Sequence, residues 1–334
     1  MKGSSNRSKL DLTKGYWQIS MHPDSVEKTA FMTPDGAYEF VKLPFGLKNS
    51  AASFNRLMRL VLGDMEGVGC YVDDVCMFSV TWKDHMELIT QVFRRLRKAG
   101  LTIRPSKCMI GYEDVEFVGH LIGVDTLTAR REKVNEVMAL RSPQSKREVR
   151  AFLAMAGYYA RFIPRFADLA YPLTQLTKKE VVFKWGKEKE DAFQSIKTCL
   201  SQEPVLRIVD FKRKMFVQTD ASDVGIGAAL LQEYDGHFHP VRFVSRKLKA
   251  AEQNYSTIEK EGLAIVWSIE KLAVYLYGRD FVILTDHRPL TFIQSSRMNN
   301  SRVMRWSMFL QDWSFHIESI KGVDNVIADY LSRS

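Results

Sequence analysis

The sequence predicts an α+β chain that closes on a separate, self-contained α/β domain. Three observations support this reading. Up to about residue 130, short alternating apolar segments are interleaved with amphipathic helices. From Arg131 to about Leu176 the apolar spacing is helical, cut into pieces by Pro143, Pro164 and Pro172. From residue 212 onwards, three strand-like segments precede a long helix, a fourth strand and a further helix. The length of 334 residues agrees, holding two or three domains at roughly 100–200 residues each. A hydrophobic fraction of 46% excludes a wholly disordered chain.

The elements follow in order. Lys9 to Ser20 reads as a strand entering a turn, with Leu10 and Leu12 on one side and Gly15 breaking the pattern. Ala37 to Lys42 alternates like a second strand. Asn49-Ser50 suits the cap of a helix whose apolar face is Phe54, Leu57, Met58 and Val61. Gly67 to Ser79 reads as a hairpin with a tight Asp73-Asp74 turn, and Asp84 to Ala99 as an amphipathic helix ended by Gly100. Glu188 to Ser201 is helical. Strands are expected over Met215–Thr219, Ile226–Gln232, Val241–Ser245 and Phe281–Thr285, and helices over Thr257–Tyr277 and Arg302–Trp313.

Composition narrows the function classes. No apolar run approaches the roughly 18 residues of a membrane span, and the N-terminal residues lack the apolar region of a signal peptide. Cys70, Cys76, Cys108 and Cys199 show neither CxxC pairing nor zinc spacing, which implies a reduced intracellular compartment. The 48 Lys+Arg against 39 Asp+Glu leave +9, which invites a polyanion, nucleic acid first.

Two sets of carboxylates carry the chemistry. Asp11 ends a strand, and Asp73-Asp74 sit at a hairpin tip, where adjacent like charges are relieved by a divalent cation. Taken alone, a pair of aspartates also simply suits a turn. In the second set, Asp220 and Asp286 end strands, the usual place for α/β sites. Ser256-Thr257-Ile258-Glu259 has the form of a capping box, which gives Glu259 a structural task and leaves Glu261 as the better site candidate.

The order of motifs is specific. Lys9-Leu10-Asp11-Leu12-Thr13-Lys14-Gly15-Tyr16, then Leu43-Pro44-Phe45-Gly46-Leu47 with Ala51-Ala52-Ser53-Phe54, then Tyr71-Val72-Asp73-Asp74, resemble the polymerase motifs of reverse transcriptases from Pol polyproteins of gypsy-type long-terminal-repeat retrotransposons. Phe117-Val118-Gly119-His120, Gly157-Tyr158-Tyr159-Ala160-Arg161-Phe162-Ile163 and the acids from Asp220 onwards continue the resemblance to the last residues.

The resemblance implies a reverse-transcriptase palm over 1–130, a thumb-like helical region over 131–181, a helical connector over 182–211 and a ribonuclease H-like domain over 212–334. It implies that Asp11, Asp73 and Asp74 bind the polymerase metals. Tyr16 would lie beneath the incoming sugar and exclude a 2′-hydroxyl, Phe45 and Gly46 would lie beside nucleotide and template, and Lys107 near the triphosphate. Asp220, Glu261, Asp286 and Asp329 would form a second two-metal set that cleaves RNA within an RNA–DNA hybrid. The metal would be Mg2+, with Mn2+ as an alternative. The partners would be an RNA template, a DNA primer, the hybrid and deoxynucleoside triphosphates.

Basic residues supply candidate nucleic-acid contacts. Arg94, Arg95, Arg97, Lys98, Arg104 and Lys107 lie between Leu88 and Tyr112 with no acid among them. A one-signed helix face of this kind is more often merely solvated, which is the favoured reading for Arg94 and Arg95. Arg141, Lys146, Arg147, Arg150, Arg161 and Arg165 are the better duplex candidates, and His85 and His120 read as structural. In the family a fingers subdomain precedes the first aspartate, whereas ten residues precede Asp11 here. The expectation is therefore a palm without fingers and weakened polymerisation. The alternative is a catalytically silent, host-adopted remnant that only binds nucleic acid.

Overall fold

The structure, a computed structural model, describes residues 3–202, 205–286 and 301–320. The chain forms two compact units, Met1–Thr126 and Leu127–Ser334.

The first unit runs β1 (Asn6–Asp11), α1 (Pro23–Val26), β2 (Phe31–Thr33), β3 (Gly36–Tyr38), α2 (Ser50–Leu62), β4 (Val68–Tyr71), β5 (Asp74–Ser79), α3 (Trp82–Lys98), β6 (Met109–Tyr112), β7 (Val115–Phe117) and β8 (His120–Ile122). Its main sheet has the order β4-β5-β1-β6, all antiparallel. Residues two apart share a face of a strand, so Leu10 and Leu12 join Val75 and Met77 in one buried layer. Over that layer lie Phe54, Met58 and Leu62 of α2, spaced by four, and Ile89, Val92 and Leu96 of α3.

The ends of α3 follow from local chemistry. The Thr81 hydroxyl accepts the Asp84 N–H at 3.1 Å. At the other end Gly100 takes φ +69°, a left-handed turn that favours glycine. Asn49 precedes α2, but its side chain makes no cap bond; the Ser50 hydroxyl instead donates to the Pro44 carbonyl at 2.9 Å. The strand expected over Ala37 to Lys42 is shorter, ending at Tyr38.

The second unit follows the junction strand β9 (Thr126–Ala129) with α4 (Arg131–Met138), α5 (Lys146–Tyr158), α6 (Phe166–Leu169), α7 (Tyr171–Leu176), α8 (Lys187–Ser201), β10 (Leu206–Arg207), β11 (Met215–Ala221), β12 (Gly225–Tyr234), β13 (His237–Lys247), α9 (Ala250–Gln253), α10 (Thr257–Leu276), β14 (Phe281–Thr285), α11 (Ser301–Leu310) and β15 (Phe315–Ser319). Its sheet has the order β13-β12-β11-β14-β15. The pairs β11–β14 and β14–β15 are parallel and the others antiparallel.

Both faces of this sheet are covered. Met215, Val217, Leu230 and Ile283 pack under Ile265, Ile269 and Leu272 of α10. Phe216, Ala229, Phe243 and Val282 point the other way, into a core shared with Phe152 of α5 and Phe193 and Ile196 of α8. Burial on both sides explains why residues 215–217 of β11 and 281–284 of β14 are continuous apolar runs rather than alternating ones. The edge strand β15 was not expected from sequence.

Candidate active sites

In the first unit, β1 delivers Asp11 and the β4–β5 hairpin delivers its two aspartates. Antiparallel register places Asp11 directly opposite Asp74. The turn falls on Val72-Asp73, one residue earlier than the expected Asp73-Asp74, because Tyr71 pairs with Asp74 as the first residue of β5. Val72 has φ +52°, a strained left-handed conformation for a β-branched residue. Its N–H donates to Asn55 Oδ1 of α2 at 3.2 Å, and the Leu12 N–H donates to the Asp73 carbonyl at 3.0 Å. The hairpin tip is thus tied to both β1 and α2. Gly15 packs on the Asp73 carboxylate, 3.4 Å from where a Cβ would stand.

Two lysines stand on these carboxylates. Lys9 Nζ lies 3.1 Å from Asp74 Oδ1, and Lys107 Nζ lies 3.8 Å from Asp11 Oδ2. Lys9 is two residues before Asp11, hence on the same strand face, a signal the sequence reading passed over. Arg104 is exposed, and its backbone N–H donates to the Asp11 carbonyl at 2.8 Å. Tyr16 is half-buried. Its ring lies 5.2 Å from Phe45 and edge-on to Phe54 at 5.7 Å. Phe45 is 64% exposed, and Gly46 beside it has φ +91° with open space at its Cβ position. This corner therefore presents an aromatic shelf and a bare backbone.

In the second unit, Asp220 lies near the end of β11, opposite Gly227. Parallel pairing puts Leu284 opposite Gln218, so Asp286, just past β14, falls level with Asp220. Glu261 comes from the first turns of α10, and its Oε1 accepts the Ala221 N–H at 3.2 Å. Glu259 does carry the structural task, closing the capping box with Ser256 and accepting from Arg302 at 2.6 Å.

Glu261 is 6% exposed, and among the described residues its buried Oε2 has no hydrogen-bond partner. Burial first, then the neighbouring Asp220 and Asp286 charges, push its pKa up to about 8. Burial also raises Asp220, aided by Asp286 and Asp168, and the Arg165 cation does not cancel this. Arg165 Nη1 lies 3.2 Å from Asp220 Oδ2. Crowded, under-neutralised carboxylates with an orphaned buried oxygen are a donor set that fits a hard divalent cation such as magnesium. As they stand, no three acidic, His or Cys side chains among the described residues close into a metal cage. Cationic side chains of the chain itself stand on the carboxylates in both units.

These features sit in a chain whose residues 1–122 match the family described as reverse transcriptase (RNA-dependent DNA polymerase). Residues 210–313 match the RNase H-like domain found in reverse transcriptase. Two separate stretches of the chain, each about a third of its length, thus match domains of reverse transcriptases. The chain is 39% identical over 327 residues to the Retrovirus-related Pol polyprotein from transposon 297 of Drosophila melanogaster, covering 97% of this chain and 30% of that protein. It is 37% identical over 340 residues to the Transposon Tf2-3 polyprotein of Schizosaccharomyces pombe, covering 100% of this chain and 26% of that one. The chain thus spans less than a third of the length of these curated relatives. These relatives agree with a gypsy-type retrotransposon origin. Among solved structures it is similar in fold to a foamy viral protease-reverse transcriptase in complex with an RNA/DNA hybrid, with a TM-score of 0.82 at 21% identity over 96% of this chain and 45% of that one. A second foamy viral structure, in complex with double-stranded DNA, has a TM-score of 0.82 at 22% identity, over 95% of this chain and 57% of that one.

Asp329 lies outside the described residues. Arg147 and Arg150 are exposed on α5, and Arg150 donates to the Thr177 carbonyl at 2.9 Å. Arg161 is half-buried, and burial, then the nearby Arg242 charge, lowers its pKa. Arg165, grouped by sequence with the duplex contacts, instead holds Asp168 and Asp220. Its bond to Asp220 spans 55 positions, a distance at which no local pattern could reveal it. Among the described residues, no helix is long and apolar enough to cross a membrane.

Proposed function

We propose that this chain carries two nucleic-acid active centres. The first is RNA-directed DNA polymerisation on Asp11, Asp73 and Asp74. The second is hydrolysis of the RNA strand of an RNA–DNA hybrid on Asp220, Glu261, Asp286 and Asp329. The observation that carries the reading is the convergence of Glu261, buried and with an orphaned oxygen, on Asp220 and Asp286. A surface acid makes no such arrangement, and three carboxylates crowded in this way repel unless a proton or a cation joins them.

Bound divalent metal, Mg2+ or Mn2+, would supply Lewis-acid stabilisation of the charge that develops on phosphate oxygens. The chain's own residues do the rest. The β1–β5 pairing holds Asp11 and Asp74 face to face, and the Ala221 N–H orients the Glu261 carboxylate. The half-buried Tyr16 ring, braced by Phe45 and Phe54, offers a flat apolar surface for the sugar of an incoming deoxynucleotide. Lys107 stands close enough to Asp11 to meet a triphosphate beside it. The exposed Arg104, Arg147 and Arg150 and the half-buried Arg161 are proposed backbone contacts to template, primer or hybrid.

The test for the first unit is single-nucleotide addition to a DNA primer on an RNA template, with enzyme in excess so that one addition per primer is seen. Addition is expected to need Mg2+ and to fall at least about a hundredfold in Asp73→Asn. Addition that Asp73→Asn leaves unchanged contradicts the assignment.

A further inference from the structure

The cation on the nuclease carboxylates comes from an unusual piece of backbone. Arg165 precedes α6 with φ 48° and ψ 33°, a left-handed conformation that side-chain-bearing residues seldom adopt. Such a conformation persists only where its surroundings hold it. Here they do. Arg165 Nε donates to Asp168 Oδ2 at 2.9 Å, and the Asp168 N–H returns to the Arg165 carbonyl at 2.9 Å. Asp168 Oδ1 accepts the Ser222 hydroxyl at 2.8 Å, two residues past Asp220. The Ala167 N–H donates to Ser245 Oγ on β13 at 3.0 Å. Gly225 leaves the room this requires, since a Cβ there would stand 2.2 Å from Asp168 Oδ1. The turn is therefore seated on β11, β12 and β13, with its guanidinium 3.2 Å from Asp220 Oδ2.

We propose that Arg165 is the resident counter-ion of the nuclease centre, a positioning residue that holds Asp220 when metal is absent and must withdraw for metal to bind. This rests on the nuclease reading of Asp220, Glu261 and Asp286. Among the described residues Arg165 makes the one ion pair to these three carboxylates. It brings a single positive charge to a cluster that holds more negative charge than it can neutralise. A divalent cation would bring twice that charge to the same Asp220 carboxylate, so the two compete. A centre closed by Arg165 for most of the time binds metal with an affinity reduced by the open fraction. Arg165 therefore sets the metal concentration at which this centre loads. The seating bonds to Ser222 and Ser245 decide how readily the guanidinium departs.

Metal-dependent thermal stabilisation of the whole chain, with MgCl2 or MnCl2 titrated in and no nucleic acid present, tests this. The signal of the nuclease centre is the part lost in Asp220→Asn. Arg165→Asn suits the left-handed backbone while removing the charge, and its titration midpoint is expected at about tenfold lower metal. Arg165→Lys keeps a cation and is expected near the parent midpoint. Ser245→Ala leaves Arg165 intact but loosens its seat, and is expected to shift the midpoint in the same direction by less. An unchanged or raised midpoint in Arg165→Asn overturns the proposal. A metal response that Asp220→Asn leaves whole overturns the nuclease reading together with it.

Discussion

At the scale of the residue, the chain shows which polar groups are architectural. His85 is fully buried, with Nε2 2.7 Å from Ser8 Oγ and Nδ1 2.9 Å from Ser79 Oγ. Burial lowers its pKa from the usual 6.5, because the charged ring would lose its hydration. The unfolded chain therefore takes up the proton first as pH falls. The stability contributed by the neutral ring is fully present above about pH 6.5 and is lost below it. Chemical denaturation between pH 7.5 and 5.5 is expected to show stability falling with acid, by at most about 1.4 kcal/mol per pH unit from this one proton. His85→Gln is expected to flatten that slope, and an equally steep slope in the variant removes His85 as its source. His85 could be read as structural from sequence because it lacks ligand-spaced partners. Lys9 and Ser222 could not be weighed in the same way, since their significance depends on strands brought together by folding.

Elements report a second kind of legibility. The capping box at α10 is local chemistry, and it forms as its spacing indicates. The Ser256 N–H donates to Glu259 Oε2 at 2.9 Å, and the Glu259 N–H donates to Ser256 Oγ at 3.3 Å. Ser256→Ala is expected to cost about 1 kcal/mol of unfolding free energy, measured by denaturant titration of the second unit's transition. A change indistinguishable from zero would mean that packing alone sets this helix start. Periodicity located α2, α3 and α8 for the same reason: each has one buried stripe, whereas α10 is buried all round from Lys260 to Ile265. It failed on β6 to β8 and on β15, which are short or lie at a sheet edge. There half-buried patterns such as Phe315 to Ser319 alternate too weakly to stand out. The tip of the β4–β5 hairpin moved by one residue because the turn accepts Val72 in a strained conformation, and no sequence rule favours that.

At the scale of the whole molecule, two acidic centres occupy two separate compact units, so each should fail without the other. The net charge of +9 sharpens at this scale as well. Several basic residues are used internally: Arg7 is buried and donates to the Gly123 carbonyl at 2.8 Å, Arg95 pairs with Asp64, and Arg165 holds Asp220. Arg104, Arg147 and Arg150, the proposed nucleic-acid contacts, are exposed, as are Arg94, Arg97, Lys98 and Arg141. The order of the acids was legible in the sequence. Their crowding, the orphaned Glu261 oxygen and the intervening arginine required the fold. The most direct measurement of the central claim is cleavage of a labelled RNA strand in an RNA–DNA hybrid, with Mg2+, by the parent chain, Asp73→Asn and Asp220→Asn in parallel. Cleavage by the parent and by Asp73→Asn, with loss of at least about a hundredfold in Asp220→Asn, is the predicted result. An intact hybrid with the folded parent chain, or cleavage that survives Asp220→Asn, would contradict it.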